Sequence, residues 1–165
     1  MRCLVATVAA GRASVQEDVT QVVVGALRAG GFLVERTVTV QREREFIQQL
    51  VSNIANDNEA DAILLIGGVG VGPRDYTCEA VDDLADRRME GFGEAYRRLL
   101  FDAADNIASV VTVRAMAAVY SGCVVVALPR QSAAVMRRAM EILVVPMLPE
   151  AMRIAVGPVP PRSSR

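Results

Sequence analysis

Histidine and lysine are both absent from this chain of 165 residues, and all 18 of its basic residues are arginines. Without lysine, a Walker-type phosphate loop and a Schiff-base lysine are both excluded. Without histidine, no triad can contain that residue and no metal can be bound by it. Any general base must therefore be Asp or Glu, and any cationic side chain that binds a ligand must be Arg.

The chain also lacks a surplus of either charge, because its formal net charge is -1. Proteins that bind nucleic acid through its phosphates carry a basic field. We therefore expect no nucleic acid partner. The longest uncharged run, 115–129, is shorter than the ~20 residues of a membrane-spanning helix, so no membrane segment is predicted either. The first residues, MRCLVATVAAG, fit a buried strand better than a signal peptide.

Cysteine is scarce, and the three residues at positions 3, 78 and 123 show no CxxC spacing. Neither a zinc site nor a disulfide framework is predicted, and a reducing cytoplasm fits best. Cys78 lies at the start of a predicted helix, where a thiolate would be favoured. A buried, unreactive thiol is the better interpretation.

What the chain does have is 52% apolar residues with only 4% aromatics. Short β-branched runs alternate with segments of helical period, which is typical of a layered α/β domain. We predict one domain over residues 1–156 and a flexible tail over 157–165. Strands are predicted at 2–9, 32–40, 62–66 and 123–128, and helices at 18–29, 43–56, 77–87, 92–103 and 131–143.

The most informative segment is GGVGVGPRDYTCEA at 67–80, which joins a predicted strand to a predicted helix. Its glycines at 67, 68, 70 and 72 permit positive φ angles and close approach of a ligand to the backbone. The first amides of the following helix lack intrahelical acceptors and attract anions. The segment therefore predicts a phosphate site at the carboxyl edge of a sheet.

Known glycine-rich fingerprints do not match this segment. It lacks the GxGxxG spacing of dinucleotide-binding domains and the lysine of a P-loop. A flavodoxin-like mononucleotide binder is another possible interpretation of the chain. It is less well supported, because such domains carry their phosphate loop after the first strand.

Arg74 and Asp75 are the candidate chemical groups of the segment. Arg74 could bind a phosphate through two parallel hydrogen bonds, or it could instead pair with Asp82 or Asp83. A carboxylate among phosphates is electrostatically costly unless it binds a divalent cation, so Asp75 is a candidate magnesium ligand. The alternative is that Asp75 only caps the following helix, although Thr77 could provide that cap itself. Glu79 lies in the first helical turn, where an acid is favoured with or without a ligand.

A second glycine-containing helix start occurs at EGFGEAYRR, residues 90–98. Phe92 could form a wall for a flat ligand, and Glu94 could accept hydrogen bonds from ring nitrogens. Each is more often a packing or capping residue.

Together these residues resemble the Mog and MoaB family of molybdenum cofactor biosynthesis proteins, whose loop has the form GGTGxxxRDxTPEA. MEGFGEAYR at 89–97 is similar to a family MPGFGE segment. Residues 109–129 are similar to LSRxxAGxxGxxLVxxLPG. The resemblance extends along nearly the whole chain, and the RDxT core is its most specific part.

The resemblance implies a three-layer α/β/α sandwich with a mostly parallel central sheet, assembled as a homotrimer, that binds molybdopterin. In the catalytic members AMP is transferred from ATP, with Mg²⁺, to the terminal phosphate of molybdopterin, and pyrophosphate is released. Asp75 would be the catalytic residue and the Mg²⁺ ligand. The implied substrate and phosphate ligands are Gly67, Gly68, Val69, Gly70, Arg74, Thr77, Glu79, Gly91, Glu94, Arg130 and Ser132.

Three departures from the family pattern bear on activity. Val69 replaces a threonine, Gln41 falls where active members usually have an aspartate after the second strand, and Arg130 replaces the glycine of LPG. Two interpretations follow: a molybdopterin adenylyltransferase, with Asp75 at the metal and Arg74 and Arg130 on phosphates, or a non-catalytic pterin- or nucleotide-binding protein of the same fold.

Overall fold

A computed structural model describes residues 1–9, 17–102 and 106–157. Within them one mixed sheet has the strand order β2-β1-β3-β6-β5-β4. Strands β1, β2, β3 and β6 are parallel, whereas β5 is antiparallel to β6 and β4 to β5. The strands are β1 (Arg2–Ala9), β2 (Leu33–Gln41), β3 (Ala62–Ile66), β4 (Arg87–Arg88), β5 (Met116–Tyr120) and β6 (Cys123–Leu128).

Helices cover both faces of the sheet. Successive side chains of a strand point to opposite faces, and both faces of β3 are apolar and fully buried. One core lies between the sheet and the helices α1, α4, α6 and α7, and the other lies between the sheet and α2 and α3. The helices are α1 (Glu17–Ala29), α2 (Arg44–Asn56), α3 (Thr77–Leu84), α4 (Glu90–Phe101), α5 (Ile107–Val111), α6 (Ala133–Ala139) and α7 (Val145–Val156).

This three-layer α/β/α arrangement confirms the predicted fold class. The four predicted strands are present, and β2 is displaced by one residue. Three elements were not predicted: the strand β5, the helix α5 and the strand β4, which has only two residues. Strand β5 is antiparallel to β6 and joined to it by a turn in which Ser121 and Gly122 both have positive φ, at 49° and 77°.

Two predicted helix boundaries were wrong. Helix α3 ends at Leu84 rather than at residue 87, because Ala85 is extended with ψ of 119° and the next residues pair with β5. Gly91, predicted to interrupt a helix, lies inside α4. The predicted end of that helix at residue 103 lies outside the described residues.

The last predicted helix is much longer than expected. After α6 the chain forms a π-helical turn, Met140–Val144, and continues as α7 to Val156. Met136, Met140, Val144 and Leu148 are all fully buried, so a stripe of apolar residues spaced by four runs through all three parts. Pro146 in the first turn of α7 and Pro149 inside it have no N–H to donate to the preceding turn, so the apolar stripe rather than a complete set of backbone hydrogen bonds holds this part of the helix in place.

The predicted flexible tail begins at Gly157, and residues 158–165 lie outside the described part of the chain, so it stays a prediction. No helix within the described residues is long and apolar enough to cross a membrane.

Candidate anion-binding cleft

The parallel strands end around a cleft of about 460 Å³. Because the carboxyl ends of parallel strands lie at one edge of the sheet, segments far apart in the chain meet there. Helix α5 and the loop before α3 complete the walls. The lining residues are Val8, Ala9, Arg42, Gly67, Gly68, Val69, Gly70, Asp75, Ser109, Thr112, Val113, Pro129, Arg130 and Gln131.

The turn after β3 requires glycine at two consecutive positions. Gly67 and Gly68 have φ angles of 106° and 67°, which side chains rarely allow. A Cβ atom at Gly67 would lie 2.9 Å from the carbonyl oxygen of Val8, and one at Gly68 would lie 2.4 Å from Thr77 Oγ1. The chain therefore turns sharply here and keeps its backbone open to the cleft, as predicted.

Gly70 and Gly72 serve a different purpose from the one predicted, since neither has a positive φ angle. A Cβ atom at Gly70 would lie 2.6 Å from Asp75 Oδ2, and one at Gly72 would lie 2.8 Å from the same oxygen. Their missing side chains let the Asp75 carboxylate fold back onto the loop, where it accepts a hydrogen bond from Gly72 N at 3.0 Å.

Backbone amides of the turn provide hydrogen-bond donors beside the cleft. Gly67 N donates to the carbonyl oxygen of Leu128 at 2.9 Å, which ties the turn to the end of β6. Within the described residues, the amides of Gly68, Val69 and Gly70 have no backbone acceptor. These amides can bind an oxyanion.

Asp75 and Arg42 form an ion pair in the cleft. Asp75 Oδ1 lies 3.1 Å from Arg42 Nη2, and the two side chains are 15% and 35% exposed. The geometry does not make a hydrogen bond, so Asp75 Oδ1 and Arg42 Nε are both buried without a hydrogen-bond partner among the described residues. Such atoms are costly to leave unsatisfied.

Arg130 brings a second guanidinium to the cleft. A Cβ atom at Gly67 would lie 3.6 Å from Arg130 Nη2, so the guanidinium extends over the glycine turn. Partial burial, together with the nearby charge of Arg42, lowers the pKa of Arg130 from its ordinary value. Among the described lining residues, two cations and one carboxylate give a net positive charge, which suits an anionic ligand.

Arg114 is a structural residue of the site that was not predicted. Its guanidinium donates to the carbonyl oxygens of Gly70 and Asp75, each at 2.8 Å, and pairs with Glu79. The hydrogen bond from Arg114 holds the pKa of Glu79 below its usual range. Arg114 lies in the segment at 109–129 that resembles a family motif, so the motif carried a signal for it.

Several predicted ligand residues lie outside the cleft lining. Arg74 is exposed, and its alternative partners are taken, since Asp82 pairs with Arg88 and Asp83 with Arg44. Thr77 is fully buried, and its hydroxyl donates to the carbonyl oxygen of Gly67 at 2.8 Å. Thr77 therefore braces the turn, and the expectation that its side chain would cap α3 was wrong.

Three further predicted residues occupy helix starts. Ser132 is the N-cap of α6 and accepts a hydrogen bond from Val135 N at 3.4 Å. Gly91 and Glu94 are exposed on α4, and a Cβ atom at Gly91 would meet nothing within 4 Å. Phe92 is buried in the core 6.3 Å from the ring of Tyr96, so the suggestion that it forms a ligand wall was wrong.

At the end of β2 the side chain in the cleft is Arg42 rather than Gln41. Gln41 is the last residue of β2, is exposed, and does not line the cleft. Arg42 N donates to the carbonyl oxygen of Ala9 at 3.0 Å, which continues the pairing with β1 for one more residue. The residue after β2 that lines the cleft is therefore Arg42, and the comparison of Gln41 with a family aspartate stays a prediction.

The residues of the cleft fit a magnesium ion poorly. Among the lining residues that the structure describes, Asp75 is the one carboxylate, and its Oδ1 atom already lies beside Arg42. The described residues contain no group of three or more His, Cys, Asp or Glu side chains that could hold a metal. A divalent cation at Asp75 would also lie near two guanidiniums.

Cys78 and Val69 pack behind the turn in a small apolar cluster with Ala127. The Cys78 thiol donates to the carbonyl oxygen of Arg114 at 2.9 Å, and burial raises its pKa to about 12. The prediction that the Cys78 thiol is buried is confirmed, and its raised pKa agrees with an unreactive thiol.

Comparison with known proteins assigns a family to this fold and cleft. Residues 6–150 match the molybdenum cofactor biosynthesis family model described as a probable molybdopterin binding domain. Molybdenum cofactor biosynthesis protein B of Halalkalibacterium halodurans is 34% identical over 153 residues, covering 93% of this chain and 89% of the relative. A protein of Methanocaldococcus jannaschii named probable molybdopterin adenylyltransferase is 30% identical over 86 residues, covering 52% of each chain.

A solved structure agrees with this assignment. The crystal structure of a molybdenum cofactor biosynthesis protein B has a TM-score of 0.83 and 30% identity, and the match covers 94% of this chain and 95% of that one. The chain therefore belongs to the molybdenum cofactor biosynthesis family of probable molybdopterin binding domains.

Proposed function

We propose that this protein acts in molybdenum cofactor biosynthesis by binding molybdopterin, with the phosphate of the ligand in the cleft at the carboxyl edge of the sheet. The observation that carries the proposal is the pairing of free backbone amides at Gly68–Gly70 with the guanidinium of Arg130 over the same turn. Amides bind oxyanions at fixed positions, and a guanidinium adds charge and two parallel donors. The family model, described as a probable molybdopterin binding domain, supports a phosphorylated pterin as that ligand.

A second candidate function is adenylyl transfer, which the name of the Methanocaldococcus jannaschii relative supports. A phosphate oxygen of molybdopterin would attack the α-phosphorus of ATP, supplied as Mg-ATP. The new P–O bond would form as the bond to the leaving pyrophosphate breaks. Asp75 would be the candidate catalytic carboxylate of such a reaction.

The ion pair between Asp75 and Arg42 favours binding over catalysis. A carboxylate already paired with a guanidinium is less available to bind a metal ion. With the residues arranged in this way, the cleft supports the capture of an anion better than the handling of Mg-ATP.

Isothermal titration with molybdopterin tests the binding proposal. We expect saturable binding, and we expect Arg130→Gln to weaken it at least tenfold, because one charge-assisted contact is lost. Arg36→Gln is the matched control, since Arg36 is exposed and pairs with Glu59 away from the cleft. Absence of binding, or equal losses in both variants, would overturn the proposal.

Release of pyrophosphate from ATP and molybdopterin, with and without Mg²⁺, tests the second candidate. Release that requires both substrates and is abolished by Asp75→Asn would establish adenylyl transfer. Binding without release would leave the binding function alone.

We further propose a homotrimer in the cytoplasm, which rests on the family resemblance. Several large apolar side chains are exposed on the described surface, and a second copy of the chain could cover them. Ile142 is 57% exposed and Ile154 is 64% exposed. Light scattering coupled to size exclusion measures the assembly, and a mass of 17.7 kDa would contradict it.

A further inference from the structure

Arg42 enters the cleft from the end of β2 on a rigid stretch of backbone. Its amide is bonded to the carbonyl oxygen of Ala9 at 3.0 Å, so the residue is held beside the end of β1. The side chain is 35% exposed and lines the cleft together with Arg130 and the Gly67–Gly70 turn. Its guanidinium is thus fixed at the wall of the proposed phosphate site.

The hydrogen-bonding capacity of Arg42 is largely unused. Its Nη2 atom lies 3.1 Å from Asp75 Oδ1 without forming a hydrogen bond, and its buried Nε atom has no acceptor among the described residues. A guanidinium presents its donors as a planar fork that matches two oxygens of a phosphate. The exposed part of the Arg42 side chain borders the cleft, where an oxyanion could accept hydrogen bonds from the guanidinium.

The charges of the cleft also call for an anion. Arg42 and Arg130 are close enough for the charge of one to affect the other, since the charge of Arg42 contributes to the lowered pKa of Arg130. Asp75 neutralises only one of these two cations. An anion between the guanidiniums would remove their repulsion, whereas a divalent cation would increase it.

We infer that Arg42 is a ligand-binding residue which, together with Arg130, binds a phosphate group directly, so that this cleft binds phosphate and pyrophosphate groups without a divalent cation. The inference rests on the proposed function, because it assumes that the phosphate of the ligand lies in this cleft. In this arrangement a guanidinium takes the role that a metal ion would have in neutralising the phosphate. Asp75 orients Arg42 instead of binding a metal.

The probe for this inference is inorganic pyrophosphate, titrated into the protein in excess EDTA and again in excess Mg²⁺. We expect binding in EDTA, and we expect Mg²⁺ to strengthen it by less than threefold. We expect Arg42→Gln to weaken the EDTA-resistant binding at least tenfold. Arg44→Gln is the matched control, because Arg44 pairs with Asp83 outside the cleft lining and should bind like the wild type.

Folding of each variant is checked by circular dichroism. If Arg42→Gln does not fold, Arg42→Lys keeps the charge but loses the planar fork, and we expect it to weaken binding between threefold and tenfold. An Arg42→Gln or Arg42→Lys variant that binds pyrophosphate as tightly as the wild type would overturn the inference.

The titrations separate the inference from the proposed function. Pyrophosphate binding that requires Mg²⁺ would overturn the inference and leave the phosphate site standing. Molybdopterin binding without any pyrophosphate binding would also overturn the inference and leave the proposed function standing. If neither pyrophosphate nor molybdopterin binds, the proposed function fails and the inference fails with it.

Discussion

Arg114 donates a hydrogen bond from Nη2 to the backbone carbonyl oxygen of Asp75 at 2.8 Å. The same guanidinium reaches the carbonyl oxygen of Gly70 at 2.8 Å and pairs with Glu79. Arg114 lies just before β5, whereas the other three residues lie in or after the loop that follows β3. One side chain thus connects the loop of the candidate site to the antiparallel side of the sheet.

We predict that Arg114→Met destabilises the protein by about 2–3 kcal/mol, because two carbonyl groups and a carboxylate lose a charged donor together. Urea unfolding measures the change, and pyrophosphate titration should show weaker binding as the loop loosens. Arg88→Met is the control, since the exposed Arg88–Asp82 pair should contribute less than about 1 kcal/mol. Equal effects of the two substitutions would contradict the bracing role of Arg114.

We predict that Gly68→Ala costs about 1–3 kcal/mol of stability and reduces pyrophosphate binding, because φ is 67° and the new Cβ would lie 2.4 Å from Thr77 Oγ1. Gly91→Ala is the matched control on α4, where a Cβ meets nothing within 4 Å. That control should be neutral or more stable by up to about 1 kcal/mol. Thermal and urea unfolding of both variants check the contrast, and a tolerated alanine at position 68 would argue against the strained turn.

We predict that Thr77→Val destabilises the protein by about 1–3 kcal/mol, because it leaves the Gly67 carbonyl oxygen without the hydroxyl that donates to it at 2.8 Å. Thr39→Val on β2 is exposed and should change stability by less than about 0.5 kcal/mol. Urea unfolding compares the two. If Thr77→Val kept full stability but lost ligand affinity, the hydroxyl would be a ligand contact instead of a brace.

We predict that stability falls steeply in alkaline solution. Burial raises the pKa of Cys3, Cys78 and Cys123 to about 12 each. In the unfolded chain thiols lose their protons near pH ~8.5, so between that pH and 12 the folded protein binds more protons than the unfolded chain. The free energy of unfolding should therefore decrease as pH rises, by about 1.4 kcal/mol per pH unit for each thiol.

Urea unfolding between pH 8 and 11 measures this slope. Cys78→Ala should reduce the contribution of the thiols to it by about a third, since one of the three thiols is removed. Parallel curves for the variant and the wild type would show that the Cys78 thiol does not keep its proton in the folded state.

Local sequence signals were sufficient for the sheet and for the glycine turn. The β-branched and apolar runs at 62–66 and 123–128 could be buried on both sides only as central strands, and those boundaries were predicted correctly. The glycine pattern permitted the positive φ angles found at Gly67 and Gly68, but it did not show that Gly70 and Gly72 would lack them.

The edges of the molecule were less predictable. The pairing of Arg87 and Arg88 with β5 depends on a partner strand about thirty residues later, and no local propensity indicates it. The stripe Met136, Met140, Val144 and Leu148 was visible in the sequence but was followed only as far as residue 143.

The sequence by itself determined the layered fold and the position of the turn after β3, because apolar period and glycine spacing act over short distances; the phosphate ligand of that turn stays a prediction. The family resemblance had already named Arg130, which does line the cleft, but only the tertiary structure decided that Arg42 lines it instead of Arg74 and that Arg114 braces the loop from behind. The physical reason is that parallel strands bring their carboxyl ends to one edge of the sheet. Arg42 reaches the cleft because β2 pairs with β1 for one more residue, through the hydrogen bond from Arg42 N to the carbonyl oxygen of Ala9. That pairing depends on the neighbouring strand and not on the local sequence.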